Sequence, residues 1–250
     1  HLAYLKEKNK LDSFLHILGL LGHALIPMGF TQALGDTGAA IIFFFMFLTM
    51  SFAAGVKLRY FVILLTSIIA LLPFAWKYVL SDYQKLRILA IVDTTLDPFI
   101  VRYQQLQGEI SIGSGQIFGR GLFKGPRVSA QFVPVQDSDL IFSVAGEELG
   151  FIGCMLILII LLILLIRVFQ AALKSCDDLG SYICFGFFGM ISSQIVFNLG
   201  MCLSLLPVMG VTLPFFSYGG TSISCMFLGI GLVQNVYMYK DDADTAALAM

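Results

Sequence analysis

The stretch Gln131-Phe-Val-Pro-Val-Gln-Asp-Ser-Asp-Leu-Ile-Phe-Ser-Val-Ala-Gly-Glu-Glu-Leu-Gly150 passes from a polar loop into an apolar run that continues to Ile166. Pro134 suits an extended or turning approach, and Asp137, Ser138 and Asp139 are residue types that cap helices. The pattern therefore predicts a helix from about Leu140. At about 1.5 Å per residue, the run from Leu140 to Ile166 is long enough to cross a bilayer. That puts Asp139 at the membrane surface and Glu147 and Glu148 about two turns inside it. Ionisable groups at such depth are costly and are functional candidates by default.

Composition points the same way, with 58% hydrophobic residues, only 12% charged and a mean hydropathy of +0.89. A soluble chain of this length would be far more polar. The net charge of -1 implies neither a nucleic-acid partner nor strong attraction to anionic lipid. Cys154, Cys176, Cys184, Cys202 and Cys225 lie in or beside apolar runs without CxxC spacing, and packing is the reading they favour over a disulfide or a metal. The chain opens at His1 with no cleavable signal pattern, which suits the later part of a longer polypeptide.

Six apolar runs are expected to span: about Phe14 to Ala33, Thr37 to Val56, Tyr60 to Trp76, Leu140 to Ile166, Tyr182 to Leu206 and Ser222 to Tyr239. Lys6, Lys8 and Lys10, the turn Lys57-Leu-Arg59, and the turn holding Arg167, Lys174, Asp177 and Asp178 should then be cytoplasmic. His16 and His23 have no spaced ligand-type partner and read as packing residues. Asp36, in Gln32-Ala-Leu-Gly-Asp-Thr-Gly38, reads as the cap of the helix that follows. Lys240 to Met250 is polar enough to be a disordered tail. The whole chain is read as a single membrane domain.

Between about Lys77 and Ser138 no run is long enough to span, so this is one long external loop, with room for re-entrant or interfacial helices. Its seven cations, Lys77, Lys85, Arg87, Arg102, Arg120, Lys124 and Arg127, suggest an anionic ligand. Six glycines between Gly108 and Gly125 would let backbone amides approach a phosphate, with Arg120 and Lys124 adding charge. The spacing is neither a dinucleotide fingerprint nor a P-loop, and by itself favours a flexible loop over an anion site. Between the last two runs, Leu206-Pro-Val-Met-Gly-Val-Thr-Leu-Pro-Phe-Phe-Ser-Tyr-Gly-Gly-Thr-Ser222 breaks the helix at the outer face. It gathers the hydroxyls of Ser217, Tyr218, Thr221 and Ser222 there.

That last stretch, preceded by Asn198-Leu-Gly, resembles the signature of the shape, elongation, division and sporulation (SEDS) family. The resemblance extends to IGSGQIFGRGL, to DSDLIFSVAGEELGFIG and, more loosely, to QALGDTGAA, so it covers nearly the whole chain. It implies an all-α polytopic membrane protein of ten helices, of which the six runs here are the last six. It further implies a peptidoglycan glycosyltransferase of the bacterial cytoplasmic membrane. Such an enzyme polymerises lipid II, an undecaprenyl-diphosphate-linked disaccharide peptide, on the outer face and works with a class B penicillin-binding protein. The family's essential acid falls in a Thr-Asp-Phe-Ile-Phe motif that matches Ser138-Asp-Leu-Ile-Phe142, which singles out Asp139 as catalytic. Arg120, Lys124, Ser217, Tyr218, Gly219, Gly220 and Thr221 are the candidate substrate-binding residues. Val135 in place of Glu, the extra acid Asp137, and Leu140 in place of Phe are departures that leave Asp139 in position, whereas QALGD is too altered to carry a role for Asp36. The family's Gln-Pro-Ser-Glu motif and a nearby Lys belong upstream of HLAYLKEKNK.

The chemistry is consistent with a single acid. Forming a β-linkage from an α-linked sugar diphosphate takes one inverting displacement and no enzyme nucleophile. The acceptor hydroxyl must still lose a proton, which a carboxylate within hydrogen-bond reach can take. A diphosphate leaves without an acid's help and needs its charge neutralised, by Arg120, Lys124 or a divalent ion, the one cofactor the chemistry leaves room for. The readings from other classes are a lipid flippase or transporter, which Glu147 and Glu148 favour, and a non-catalytic scaffold of the cell-wall synthesis complex.

Overall fold

The structure is a computed structural model that describes residues 1–92, 102–130, 132–134 and 136–239. Val135 and the expected tail from Lys240 to Met250 lie outside the described residues. In chain order the helices are α1 (Leu2–Glu7), α2 (Phe14–Ala33), α3 (Thr37–Ala53), α4 (Leu58–Tyr78) and α5 (Asp82–Val92). They continue with α6 (Tyr103–Gly115), α7 (Pro126–Ser129), α8 (Ile141–Leu173), α9 (Asp178–Cys202) and α10 (Gly220–Met238). No strand occurs among the described residues. The protein is an all-α polytopic membrane protein.

Five of these helices, α2, α4, α8, α9 and α10, are long and apolar enough to cross a membrane, and α3 is an apolar helix of 17 residues. At about 1.5 Å per residue, α3 is at the lower end of what spans the hydrocarbon. Asp36 caps it as expected, its Oδ1 accepting from Ala39 N at 2.8 Å. The expected long loop is interrupted by α5, α6 and α7, so much of it is helical.

The chain divides into two compact units. The first comprises residues 1–57, 160–194 and 219–250. Within it, Leu2, Leu5, Leu20, Ala54 and Tyr182 form a buried apolar cluster that seats α1. Small residues let its helices close in, and a Cβ on Gly189 would lie 2.2 Å from Thr49 Oγ1 and one on Gly229 2.1 Å from Phe187 Cε2. Lys6 pairs with Asp178 at 2.6 Å, Lys57 pairs with Asp12 at 2.7 Å, and Cys176 Sγ meets Tyr239 O at 2.9 Å. These contacts gather the first segment, the Lys57 turn, the Asp177–Asp178 turn and the end of α10. Those are the segments that alternating spans should bring to one side. The hydrogen bond to Asp178 raises the Lys6 pKa above the ordinary lysine range. The pair is exposed, so it contributes little stability.

The second unit comprises residues 58–159 and 195–218. Its organising feature is a break in α8, where the sequence predicted an uninterrupted helix. At Gly150 the backbone adopts φ 67 and ψ -167, a region open essentially only to glycine. In an unbroken helix Phe151 N would bond Glu147 O and Ile152 N would bond Glu148 O. Both pairs are exchanged for bonds to the segment after α6. Glu147 O accepts from Arg120 N at 2.9 Å and Glu148 O from Gly121 N at 3.0 Å. Phe151 N donates to Gln116 O at 2.8 Å and Ile152 N to Ile117 O at 3.2 Å. These four backbone groups, freed by the break, are therefore paired within the protein, as suits non-helical backbone in an apolar setting.

The remainder of α8, residues 151–173, is about 34 Å long, a length sufficient to cross the hydrocarbon. Glu147 and Glu148 lie in the second turn of α8, just before the break. The expectation of a flexible loop is corrected, because Gly108, Gly115, Gly119 and Gly125 are points of close approach. A Cβ on Gly115 would lie 1.9 Å from Gly146 O, and one on Gly119 would lie 2.1 Å from Glu148 O. Gly115→Ala should accordingly force α6 off α8 and cost more than the usual 1–3 kcal/mol or so of overpacking. Gly113, with nothing within 4 Å of an added Cβ, should accept Ala at little cost. Thermal melting of the two detergent-purified variants checks this, and equal melting temperatures would refute it.

Candidate active site

Three consecutive carbonyls at the approach to α8 are each held by a donor from a distant part of the chain. Tyr218 N donates to Asp137 O at 2.8 Å, Ser217 Oγ to Ser138 O at 2.6 Å, and Asn198 Nδ2 to Asp139 O at 2.8 Å. Two of these donors hold the second loop as well. Ser217 Oγ accepts from Leu213 N at 2.8 Å, and Asn198 Nδ2 also donates to Val211 O at 2.7 Å. Asn198 and Ser217 are buried, so these bonds are formed away from competing water. Leu140 O accepts from Ser143 N at 2.9 Å and from Val144 N at 3.4 Å, which makes Leu140 the residue that opens α8. Asp139 stands one place before it, half-buried, with Asp137 exposed two places earlier. The Asp139 carboxylate lies beside Gly210, where a Cβ would come 3.8 Å from Oδ2.

The loop carrying Gly210 is braced from outside as well. Arg87 Nη1 donates to Val208 O at 2.6 Å and Gln105 Nε2 to Leu206 O at 2.7 Å, so α5 and α6 both grip the loop that faces Asp139.

Arg120 and Lys124 lie in the same unit, on the segment bonded to the α8 break, and both are exposed. Arg120 N is bonded at Glu147, about 9 Å along α8 from its start. Tyr218 is 80% exposed although its amide is engaged. Gly219, Gly220 and Thr221 fall in the other unit. There Gly219 is the N-cap of α10, its carbonyl accepting from Ile223 N at 2.9 Å. Among the described residues no three His, Cys, Asp or Glu side chains gather as a metal site. A divalent ion would be held by one or two carboxylates together with phosphates of a substrate. None of the five cysteines is in a disulfide, and three are buried.

Glu147 has a structural occupation. Its buried carboxylate accepts from Arg127 N at 2.9 Å and from Val128 N at 3.2 Å, holding the start of α7. Arg127 is also hydrogen-bonded to Gln107 and lies 5.7 Å from the Phe132 ring. Asn198 is the residue the sequence reading passed over as a motif letter. An amide inside an apolar run, at the depth where every polar group needs a partner, was the available signal.

A family model described as cell cycle protein, for FtsW, RodA and SpoVE, matches residues 2–242. The chain belongs to this family. These are the SEDS proteins, and several relatives lie within reach of direct comparison. The chain is 29% identical to peptidoglycan glycosyltransferase MrdB of Escherichia coli (strain K12) over 86% of its own length and 58% of that protein's. It is 33% identical to stage V sporulation protein E of Bacillus subtilis (strain 168) over 95% and 64%. Among solved structures, it superimposes on a chain of a peptidoglycan synthase complex that coordinates polymerization and crosslinking, with TM-score 0.68 and 31% identity over 87% of this chain and 60% of that one. The Thermus thermophilus rod shape determining protein RodA gives TM-score 0.64 and 28% identity over 96% and 62%. The chain thus spans about three-fifths of the length of these SEDS relatives.

Proposed function

We propose that this chain carries the catalytic acid of a peptidoglycan glycosyltransferase that polymerises lipid II on the outer face of the cytoplasmic membrane. The observation that supports this most is the clamp on Asp137, Ser138 and Asp139, which fixes the backbone of one half-buried acid beside an open glycine. A positioned carboxylate of this kind suits a general base. In the proposed reaction Asp139 takes the proton of the acceptor hydroxyl as its oxygen attacks the anomeric carbon of the donor. The carbon–oxygen bond to the diphosphate breaks, and the lipid diphosphate departs with the electron pair. Arg120 and Lys124 meet the diphosphate charge, and Ser217 and Tyr218, in the same unit as Asp139, contribute to holding the sugar. A class B penicillin-binding protein is the proposed partner, by analogy with the relative solved in a synthase complex.

The transport reading is weakened, because the carboxylate of Glu147, one of the two acids that favoured it, is engaged by the Arg127 and Val128 amides. The test is reconstitution of the protein, expressed from its native reading frame with the partner, into vesicles containing fluorescent lipid II. Muramidase-sensitive strands are expected. Movement of lipid II between leaflets without strands would overturn the glycosyltransferase reading in favour of the flippase.

A further inference from the structure

We infer that the segment between α6 and α7 is an interfacial membrane anchor, its tip inserted into the lipid leaflet on the Asp139 side. Ile117, Phe118, Leu122 and Phe123 are 57%, 82%, 60% and 89% exposed, four large apolar side chains within seven residues that belong to no spanning helix. The segment is not loose. Four backbone bonds tie residues 116, 117, 120 and 121 to the two sides of the α8 break.

Those bonds also set its level. They join the tip to Phe151 and Ile152, the first residues of the part of α8 long enough to span. Phe151, Ile152, Met155, Leu156 and Ile159 continue from there as an exposed apolar stripe down the span, 63%, 52%, 38%, 58% and 48% exposed. A stripe of that composition on a spanning helix faces lipid. The tip is thus bonded to the point where the lipid-facing surface begins. Its two cations, Arg120 and Lys124, interleave with the apolar residues, as suits side chains whose stems lie in hydrocarbon while their heads reach phosphate.

The occupant of this surface is the bilayer, whose acyl region takes the four apolar side chains and whose phosphates take the two cations. The inference rests on exposure and backbone bonding and does not depend on the glycosyltransferase reading. Its effect would be to hold Arg120 and Lys124 at headgroup depth, the level at which any lipid-linked phosphate is presented.

Tryptophan placed at the tip reports its surroundings. Phe123→Trp keeps an aromatic of comparable shape at the same positive φ, in a background with Trp76→Phe and every other tryptophan removed. The protein is reconstituted with its partner in phosphatidylglycerol-containing vesicles carrying phospholipids brominated high on the acyl chain. A blue-shifted emission, strongly quenched by the brominated lipid and weakly by aqueous acrylamide, is expected. Phe118→Trp, also at an exposed position, should behave alike and stands in if the first variant folds poorly. Quenching by acrylamide alone would overturn the inference, because the tip would then lie in water. Protection from both quenchers would overturn it too and would place a protein partner on the tip.

Discussion

Asp139→Asn is expected to lower the rate of glycan polymerisation by about 10² to 10⁴ while leaving the yield of folded protein unchanged. Asn is nearly isosteric, and what fixes this position is the backbone. Asp139 O is held by Asn198, and the neighbouring carbonyls by Ser217 and Tyr218, none of which depends on the charge of residue 139. The substituted amide cannot take the acceptor's proton at neutral pH, so the loss belongs in kcat. Asp137→Asn, two residues away, exposed, and held through the same kind of carbonyl contact, should change the rate far less. The pair separates base catalysis from a general need for negative charge. Near-normal strand yield from Asp139→Asn, at matched protein levels in the same vesicles, would sink the assignment.

What could be read from the sequence was whatever is decided locally. The bounds of α2, the cap at Asp36 and the helix after Leu140 follow from hydropathy and from residues a few places apart, and the structure has them where expected. Gly150 is different. Its neighbours form one unbroken apolar run, and the helix breaks because a segment some thirty residues earlier supplies two donors and two acceptors to the gap. Nothing in the run itself announces that. The glycines from Gly108 to Gly125 misled for a related reason. The signature of a flexible loop and that of backbone packed against backbone are the same residue type. The difference lies in the partner, Gly146 or Glu148, which only the fold brings up.

Glu147 and Asp139 show the same limit within the site. Both are acids in one short stretch, and depth in the apolar run made Glu147 the stronger candidate for transport. The structure uses the Glu147 carboxylate to hold two amides at the start of α7. Asp139 instead has its backbone held, with its carboxylate beside the glycine of a braced loop. The family motif pointed to Asp139. The clamp accounts physically for why an acid there would be kept in a fixed place.

Removing that clamp should nearly reproduce the loss of the acid. Asn198→Leu keeps the branched outline of the side chain in a larger volume and deprives Asp139 O and Val211 O of the amide donor they share, while the weak Cys202 Sγ contact to Asp139 O at 3.8 Å remains, at about 1–3 kcal/mol for each such bond lost in a buried setting. The structure relieves that cost by letting the Asp139 turn and the Gly210 loop part. A shift of about 1 Å at the reacting groups is enough to lose about 10² in rate. The loss should appear in kcat with KM little changed, and the pH dependence should keep its shape, because the base is still present and only misplaced. Ile191→Ala supplies the structural control. Ile191 is fully buried on the same helix, its truncation costs about 2–5 kcal/mol, and it gives no hydrogen bond to the site. At equal amounts of folded protein that variant should turn over at close to the normal kcat. If Asn198→Leu does the same, or if the two variants lose activity in parallel, Asn198 is an ordinary packing residue and the clamp has no part in positioning Asp139.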